Sequence, residues 1–325
     1  MLKSERGFFV YAMSLAASWA WGTSLIVGLE IMQSRGLVTF MIWGTANSLA
    51  VPLFGFFAYR IPNLSRVINS KPIMIFTTII MVFCLWINMN AIFQMLERTG
   101  FLSGIPAKVV VIIIMCVMTI FLFKDGLIRT IFMDSPLWGA CYALLLIILL
   151  YAIFTSNEKI EVYVSANRNN IMWALNTCLI LFSGPVMSIN NWQMAEKLKR
   201  EGKMFSHYWA GLLFAVYMVF VASLSIFKFD GVMNIFFIFI VCCVALSTAN
   251  SAIVGLQRIS GRKIGLGIAF SSIFAWLLVI PMGVMGLWLV MGSMRKYVVA
   301  ACIIIAFVLH FLRKKSDKLE GMRDD

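Results

Sequence analysis

Very few residues in this sequence are equipped for covalent chemistry. There are two histidines, His207 in a basic stretch and His310 near the end of the last apolar run. No apolar run holds a His-Glu-x-x-His motif, a pair of carboxylates or a Ser-His-Asp set. Hydrolysis and group transfer would have no groups to work with, so an enzyme is not expected. What remains is oxygen-ligand chemistry. Ser247-Thr248 lies within Val244-Ala245-Leu246-Ser247-Thr248-Ala249-Asn250-Ser251, in the middle of an apolar run. Adjacent hydroxyls there either back-bond to the carbonyl one turn earlier or coordinate a hard cation together with carbonyls freed where another helix unwinds. Glu30 is the one clear carboxylate read inside a span. Near the outer end, it snorkels or makes a rim contact on the plain reading and couples protons on the sharper one.

Unwound helix is what such a site needs, and two stretches supply it. Phe182-Ser183-Gly184-Pro185 lies inside the apolar run that begins near Ile171. Proline donates no backbone hydrogen bond, and its ring clashes with the preceding turn. In a bilayer the freed carbonyls need partners, so a break is tolerated only where it is buried in protein or lines a cavity. The first apolar run carries Ser14, Ser18, Gly22, Thr23 and Ser24 at mid-depth. That cluster is either a small-residue packing face or a second break.

The elements that position these groups are membrane helices. The 325 residues are 62% hydrophobic and 13% charged, with a mean hydropathy of +0.93. Apolar runs long enough to cross a bilayer recur along the chain. They are continuous rather than alternating, which excludes a β-barrel. Ten spans are predicted: Phe8–Met32, Leu37–Tyr59, Pro72–Leu96, Ala107–Phe123, Leu137–Phe154, Ile171–Asn191, Phe205–Phe227, Met233–Gln257, Ile264–Met285 and Tyr297–Leu312. Gly286–Met294 is read as an extension of the ninth span or a short interfacial helix. The stretch from Lys124 to Asp134 is read as a loop, with Ile128, Ile131 and Phe132 suited to a short amphipathic helix. The run from Phe8 is too long for the core of a signal peptide. The seven cysteines fall inside apolar segments without metal-ligand spacing or a disulfide pattern, as small core residues do.

The net charge of +13 then reports topology rather than nucleic-acid binding, so no nucleic-acid partner is expected. With the N-terminus inside, 19 of the 27 Lys and Arg residues fall on the cytoplasmic side and the other eight, Arg295 and Lys296 among them, on the outer side. Both termini are predicted cytoplasmic, in an inner membrane. Ten spans divide into halves of five. Five is odd, so the second half, about 171–312, is inverted relative to the first, about 8–154, and a charged tail follows at 313–325. Each presumed break then lies in the leading helix of its half, the pattern of secondary transporters.

Ala17-Ser18 before Gly22, Phe182-Ser183-Gly184-Pro185 with Trp192-Gln193-Met194-Ala195, Leu246-Ser247-Thr248-Ala249-Asn250-Ser251, and the loop from Lys124-Asp125-Gly126 to Asp134 together resemble the sodium:solute symporter family. The resemblance implies an all-α polytopic protein with a LeuT-type five-plus-five inverted repeat, its first and sixth helices broken. The first, second, sixth and seventh helices would rock against the third, fourth, eighth and ninth. It also implies a sodium ion held by the hydroxyls of Ser247 and Thr248 and the carbonyls of Ala17, Ala20 and Val244. A small solute would lie between the breaks against Ser18, Trp19, Gly22, Ser183, Gly184 and Met187, with Asn47 or Asn88 as further contacts.

The chain departs from that family in three ways. It would be a bare ten-helix core, where members of the family usually carry extra helices. Trp19 stands where some members carry a carboxylate. Lys-Asp-Gly stands where two glycines are common. The expected function is sodium-coupled symport of a small polar or organic solute. The alternatives are a proton-coupled or uncoupled transporter of the same fold, or a membrane protein that senses or binds a partner without transporting.

Overall fold

In hydrocarbon a backbone N–H or C=O finds no water, so apolar segments fold as helices that satisfy themselves. The computed structural model describes residues 2–61, 71–98, 100, 102–122, 126–155, 159–164, 167–229 and 231–298. Twelve helices follow in order: α1 (Leu2–Trp19), α2 (Gly22–Arg35), α3 (Leu37–Ala58), α4 (Lys71–Arg98), α5 (Gly104–Phe121), α6 (Gly126–Thr155), α7 (Arg168–Val186), α8 (Ile189–Arg200), α9 (Ser206–Leu224), α10 (Gly231–Ser260), α11 (Arg262–Val279) and α12 (283–298). Among the described residues, seven stretches are long and apolar enough to cross a membrane, and nine if each bent pair counts as one span. The bent pairs are α1–α2, with an angle of 63°, and α7–α8, with an angle of 59°. The first nine predicted spans are all present as helices. The tail, Cys302, His310 and the tenth span beyond Val298 lie outside the described residues.

Two groups of helices can be distinguished. α3 packs against α7 and α9, and α9 against α1; α4, α10, α11 and α5 pack on one another. α6 touches both groups through α1 and α10, α1 also packs on α10, and α2 lies between the groups against α3, α9, α4 and α10. This grouping is consistent with a repeat of two inverted halves. α5, α6 and the stretch 262–298 are the least covered by protein, with 22%, 28% and 28% of their apolar windows buried. One face of the molecule joins the start of α1 to the α8–α9 turn, where Ser206 donates to the Phe8 carbonyl. The opposite face joins Leu37 to Tyr163 and Ile160 to Ile226 through backbone hydrogen bonds.

Two boundaries differ from the sequence reading. α6 starts at Gly126 and runs through Pro136, so Asp134 is a residue inside a helix and no separate interfacial helix precedes the span. Proline removes one hydrogen bond near a helix start, which kinks a helix without ending it. The chain also reverses earlier than expected after the ninth span. Trp276 of α11 packs beside Asn90 and Phe93 of α4, and Gly283 lies beside Gln94. Arg295 then lies with Cys84, back at mid-height. The turn is made by a 3₁₀ segment, Ile280–Met282, and by Gly283 at φ 66°, a conformation that suits glycine alone among common residues. Gly286–Met294 is therefore the first part of the tenth helix, and Arg295 and Lys296 belong to that helix rather than to an outer loop.

Close approach sets the fit between α3 and α9. A Cβ on Gly211 would sit 2.3 Å from Pro52 Cγ and 2.6 Å from the Ser48 carbonyl. Gly139 in α6 has nothing within 4 Å of that position. Gly211→Ala is expected to cost about 1–3 kcal/mol through overpacking, read as a lower thermal midpoint in detergent. Gly139→Ala should leave the midpoint unchanged or raise it, because alanine is the better helix former.

Candidate functional site

The first break lies at Trp19-Ala20-Trp21-Gly22, between α1 and α2. Its freed backbone groups are met one by one. The Gly22 N–H donates to Asn88 Oδ1 at 2.9 Å, and Asn88 Nδ2 donates to the Cys84 carbonyl at 2.7 Å. The Trp21 carbonyl accepts from the Ser24 N–H at 2.7 Å and from Ser24 Oγ at 2.8 Å. The Ala20 carbonyl accepts from Ser24 Oγ at 3.2 Å. Glycine is required at 22 by contact. A Cβ there would lie 2.7 Å from that of Ala245 and 3.3 Å from that of Ala91.

The second break lies at Met187-Ser188, two residues beyond Pro185. The last turn of α7 tightens, and the Met187 N–H reaches the Ser183 and Gly184 carbonyls at 3.2 and 3.1 Å. Side chains of α8 cover the end: Trp192 Nε1 donates to the Val186 carbonyl at 2.6 Å, and Asn191 Nδ2 to that of Pro185 at 3.5 Å. Asn190 Nδ2 donates to the Ser251 carbonyl on α10.

The two breaks face each other. Trp19 donates its indole N–H to the Asn47 carbonyl at 2.9 Å and lays its ring on Gly184, where a Cβ would stand 2.5 Å from Trp19 Cη2. Ser18 and Ser183 spend their hydroxyls locally, on the Leu15 and Ile180 carbonyls. Met187 is buried. Trp19, Trp21 and Arg295 line two narrow spaces, each of ≈ 20 Å³ and so with room for about one water, one toward Thr23 and Trp43 and the other toward Gly184 and Thr248. A third space of ≈ 10 Å³, which Ser18 and Asn190 share with the second, includes Ser14 and Val254. Val254 also lines a vestibule of ≈ 470 Å³ with Lys197, Arg200 and Arg258.

The oxygen groups between α1 and α10 divide. Thr248 Oγ1 lies 3.1 Å from the Val244 carbonyl and 3.4 Å from the Ala17 carbonyl across the helix gap. Ser247 points elsewhere and donates to Asp134 Oδ1 at 2.6 Å. Neighbouring residues on a helix stand about 100° apart, so two adjacent hydroxyls meet different partners. Ser14 donates to the other oxygen of Asp134 at 2.8 Å. The carboxyl is fully buried, and neither ion pair among the described residues includes it. Glu30 is exposed at the opposite end of α2, in a groove with Arg98 and Lys228.

Sequence reasoning treated Asp134 as a loop residue and Arg295 as an outer charge. Arg295 is 2% exposed, and its guanidinium carbon lies 5.3 Å from the centre of the Trp21 ring. A carboxylate with Ser14 at one turn and Ser247 on a distant helix has no sequence pattern, but the unbroken apolar run from Gly283 to the charge at Arg295 was a readable signal.

Removing the Asn88 side chain leaves a buried N–H unpaired at the first break, a cost of about 1–3 kcal/mol. Asn88→Ala should therefore lower the thermal midpoint more than Asn47→Ala, because Trp19 bonds to the backbone of Asn47. Equal shifts would remove this role from Asn88.

No family model matches the chain, and no curated protein matches it. What the geometry establishes is an all-helical polytopic membrane protein in which two broken helices meet at the centre.

Proposed function

We propose that this protein is a sodium-coupled secondary transporter that carries a small solute between the two breaks by alternating access. The observation that carries this reading is the contact of Trp19 with Gly184, where the broken helices α1–α2 and α7–α8 oppose each other. Broken helices expose backbone groups to a cavity, and their side-chain partners can be exchanged when one helix group rocks against the other. The narrow spaces on both sides of Trp19, and the vestibule that adjoins the third space on the face of the α1 start, suit a closed state between openings. The two helix groups and the two bent pairs suit a five-plus-five inverted repeat. The lysine and arginine bias supports cytoplasmic termini.

Sodium coupling is supported by Thr248 Oγ1 within 3.4 Å of the carbonyls of both Val244 and Ala17. A cation there would bridge α1 to α10 and hold the moving group against the fixed one. Sodium that binds the folded state raises its stability, by about 2.7 kcal/mol at a hundred times the dissociation constant. Sodium chloride should raise the thermal midpoint above that in equimolar choline chloride, and Thr248→Ala should abolish the difference. Equal midpoints in the two salts for the wild type would overturn sodium coupling.

A second reading, proton coupling, is favoured by one observation. Asp134 is a buried carboxyl whose two oxygens are met by hydroxyls that can turn from donating to accepting. On that reading an imposed pH gradient should drive proton entry into proteoliposomes without sodium. Asp134→Asn should abolish the flux, and a flux unchanged in that variant would exclude the residue.

A further inference from the structure

Arg295 has no place in a cation site, yet it lies at the centre of the molecule. A guanidinium stays charged in any protein environment, and burying one without a partner is costly, all the more at membrane depth. Here the side chain is 2% exposed, its Nε has no hydrogen-bond partner, and neither ion pair among the described residues includes it. Its neighbours include the face of Trp21 at 5.3 Å, the Cys84 thiol, and the backbone at Gly184, where a Cβ would lie 2.9 Å from Nη1. A second buried donor has the same shortage. Trp43 is 2% exposed, and its indole N–H has no acceptor.

Both residues line one space, the narrow one of ≈ 20 Å³ on the Thr23 side of Trp19. Thr23 belongs to the first turn of α2, whose helix N-terminus adds partial positive charge to that space. Two unpaired donors, a fixed cation and a helix N-terminus call for the same complement: a negative group with more than one acceptor oxygen. Trp21 and Trp288 line the same space, which has room for about one water as it stands and takes the body of an organic ligand only when the Trp19 ring moves aside.

We propose that this space binds the carboxylate of a small organic acid, with Arg295 and Trp43 as its donors, and that such an acid is the transported solute. The assignment rests on the transport reading above and names the solute class for that site. Sequence analysis set the solute between Ser18 and Ser183. The proposed position is displaced from there toward Thr23, because those two hydroxyls are already engaged.

The test uses the full chain in detergent and matched probes, benzoate against benzamide and 3-phenylpropionate against 3-phenylpropanamide. Binding is read by thermal shift and calorimetry, in sodium and in choline salts. An acid should bind at least tenfold more tightly than its amide. Arg295→Gln should weaken the acid at least tenfold and remove that preference. Trp43→Phe, which removes the indole N–H together with part of the ring while keeping an aromatic, should weaken it several-fold. If Arg295→Gln fails to fold, Arg295→Lys and Trp43→Phe carry the comparison. Acid and amide binding alike in both pairs, or acid affinity unchanged in the folded variants, overturns the assignment. Acid preference that is equal in sodium and choline upholds it while removing sodium coupling. A sodium shift lost in Thr248→Ala, with no acid preference, keeps the coupling and overturns the anion.

Discussion

A helix can be interrupted inside a membrane protein only if every backbone group it releases finds a partner, and the centre of this molecule is arranged around that requirement. The partners come from different helices. Asn88 of α4 takes the first N–H of α2, Thr248 of α10 reaches the Ala17 carbonyl, and Trp192 of α8 covers the end of α7. Each break is thereby tied to elements outside itself. The first is bonded to helices of the group that packs with α10, whereas the second is covered largely by its own continuation in α8. A rocking motion would have to exchange the first set of bonds, while the second set would travel with the helix.

Two permanent or potential charges are buried near these breaks, and they are held in opposite ways. Asp134 accepts two hydroxyl hydrogen bonds, an arrangement that offsets part of the desolvation cost of a carboxylate and adapts when the carboxyl is protonated. Arg295 is held by an aromatic face and by close packing, with a donor left over. The first is a group already satisfied; the second is a group that a ligand would satisfy. Such asymmetry is expected where a binding site must release what it holds. A site fully satisfied when empty gains little from its ligand.

Trp19 is the element that both permits and limits access. Its indole is anchored to the Asn47 carbonyl on α3 and rests on Gly184 of α7, so it joins α1 to two neighbours of its own helix group. No side chain fits on residue 184 beneath it. The space that a solute would occupy is therefore divided by one large ring, and its two parts widen only if that ring leaves its place. Anchoring through a backbone carbonyl makes the contact independent of the Asn47 side chain, which bonds to Trp43 instead.

The membrane class, the approximate positions of the helices and the break at Pro185 were legible in the amino-acid order alone, whereas the cluster in the first run read as either a packing face or a break. These are local properties: transfer of apolar segments, a proline without an N–H, and a cluster of small polar residues. Helix ends were less legible where punctuation misled. Pro136 reads as the start of a span and lies inside α6, and Gly283, which turns the chain, sits within a run that looks continuous. Only the tertiary structure decided which polar group meets which. Ser247 and Thr248 are neighbours in sequence, yet one faces Asp134 and the other Ala17. Helices that are apolar all round carry no stripe to mark their facing. Their rotation, and with it the burial of Asp134 and Arg295, is set by the packing of helices distant in the chain.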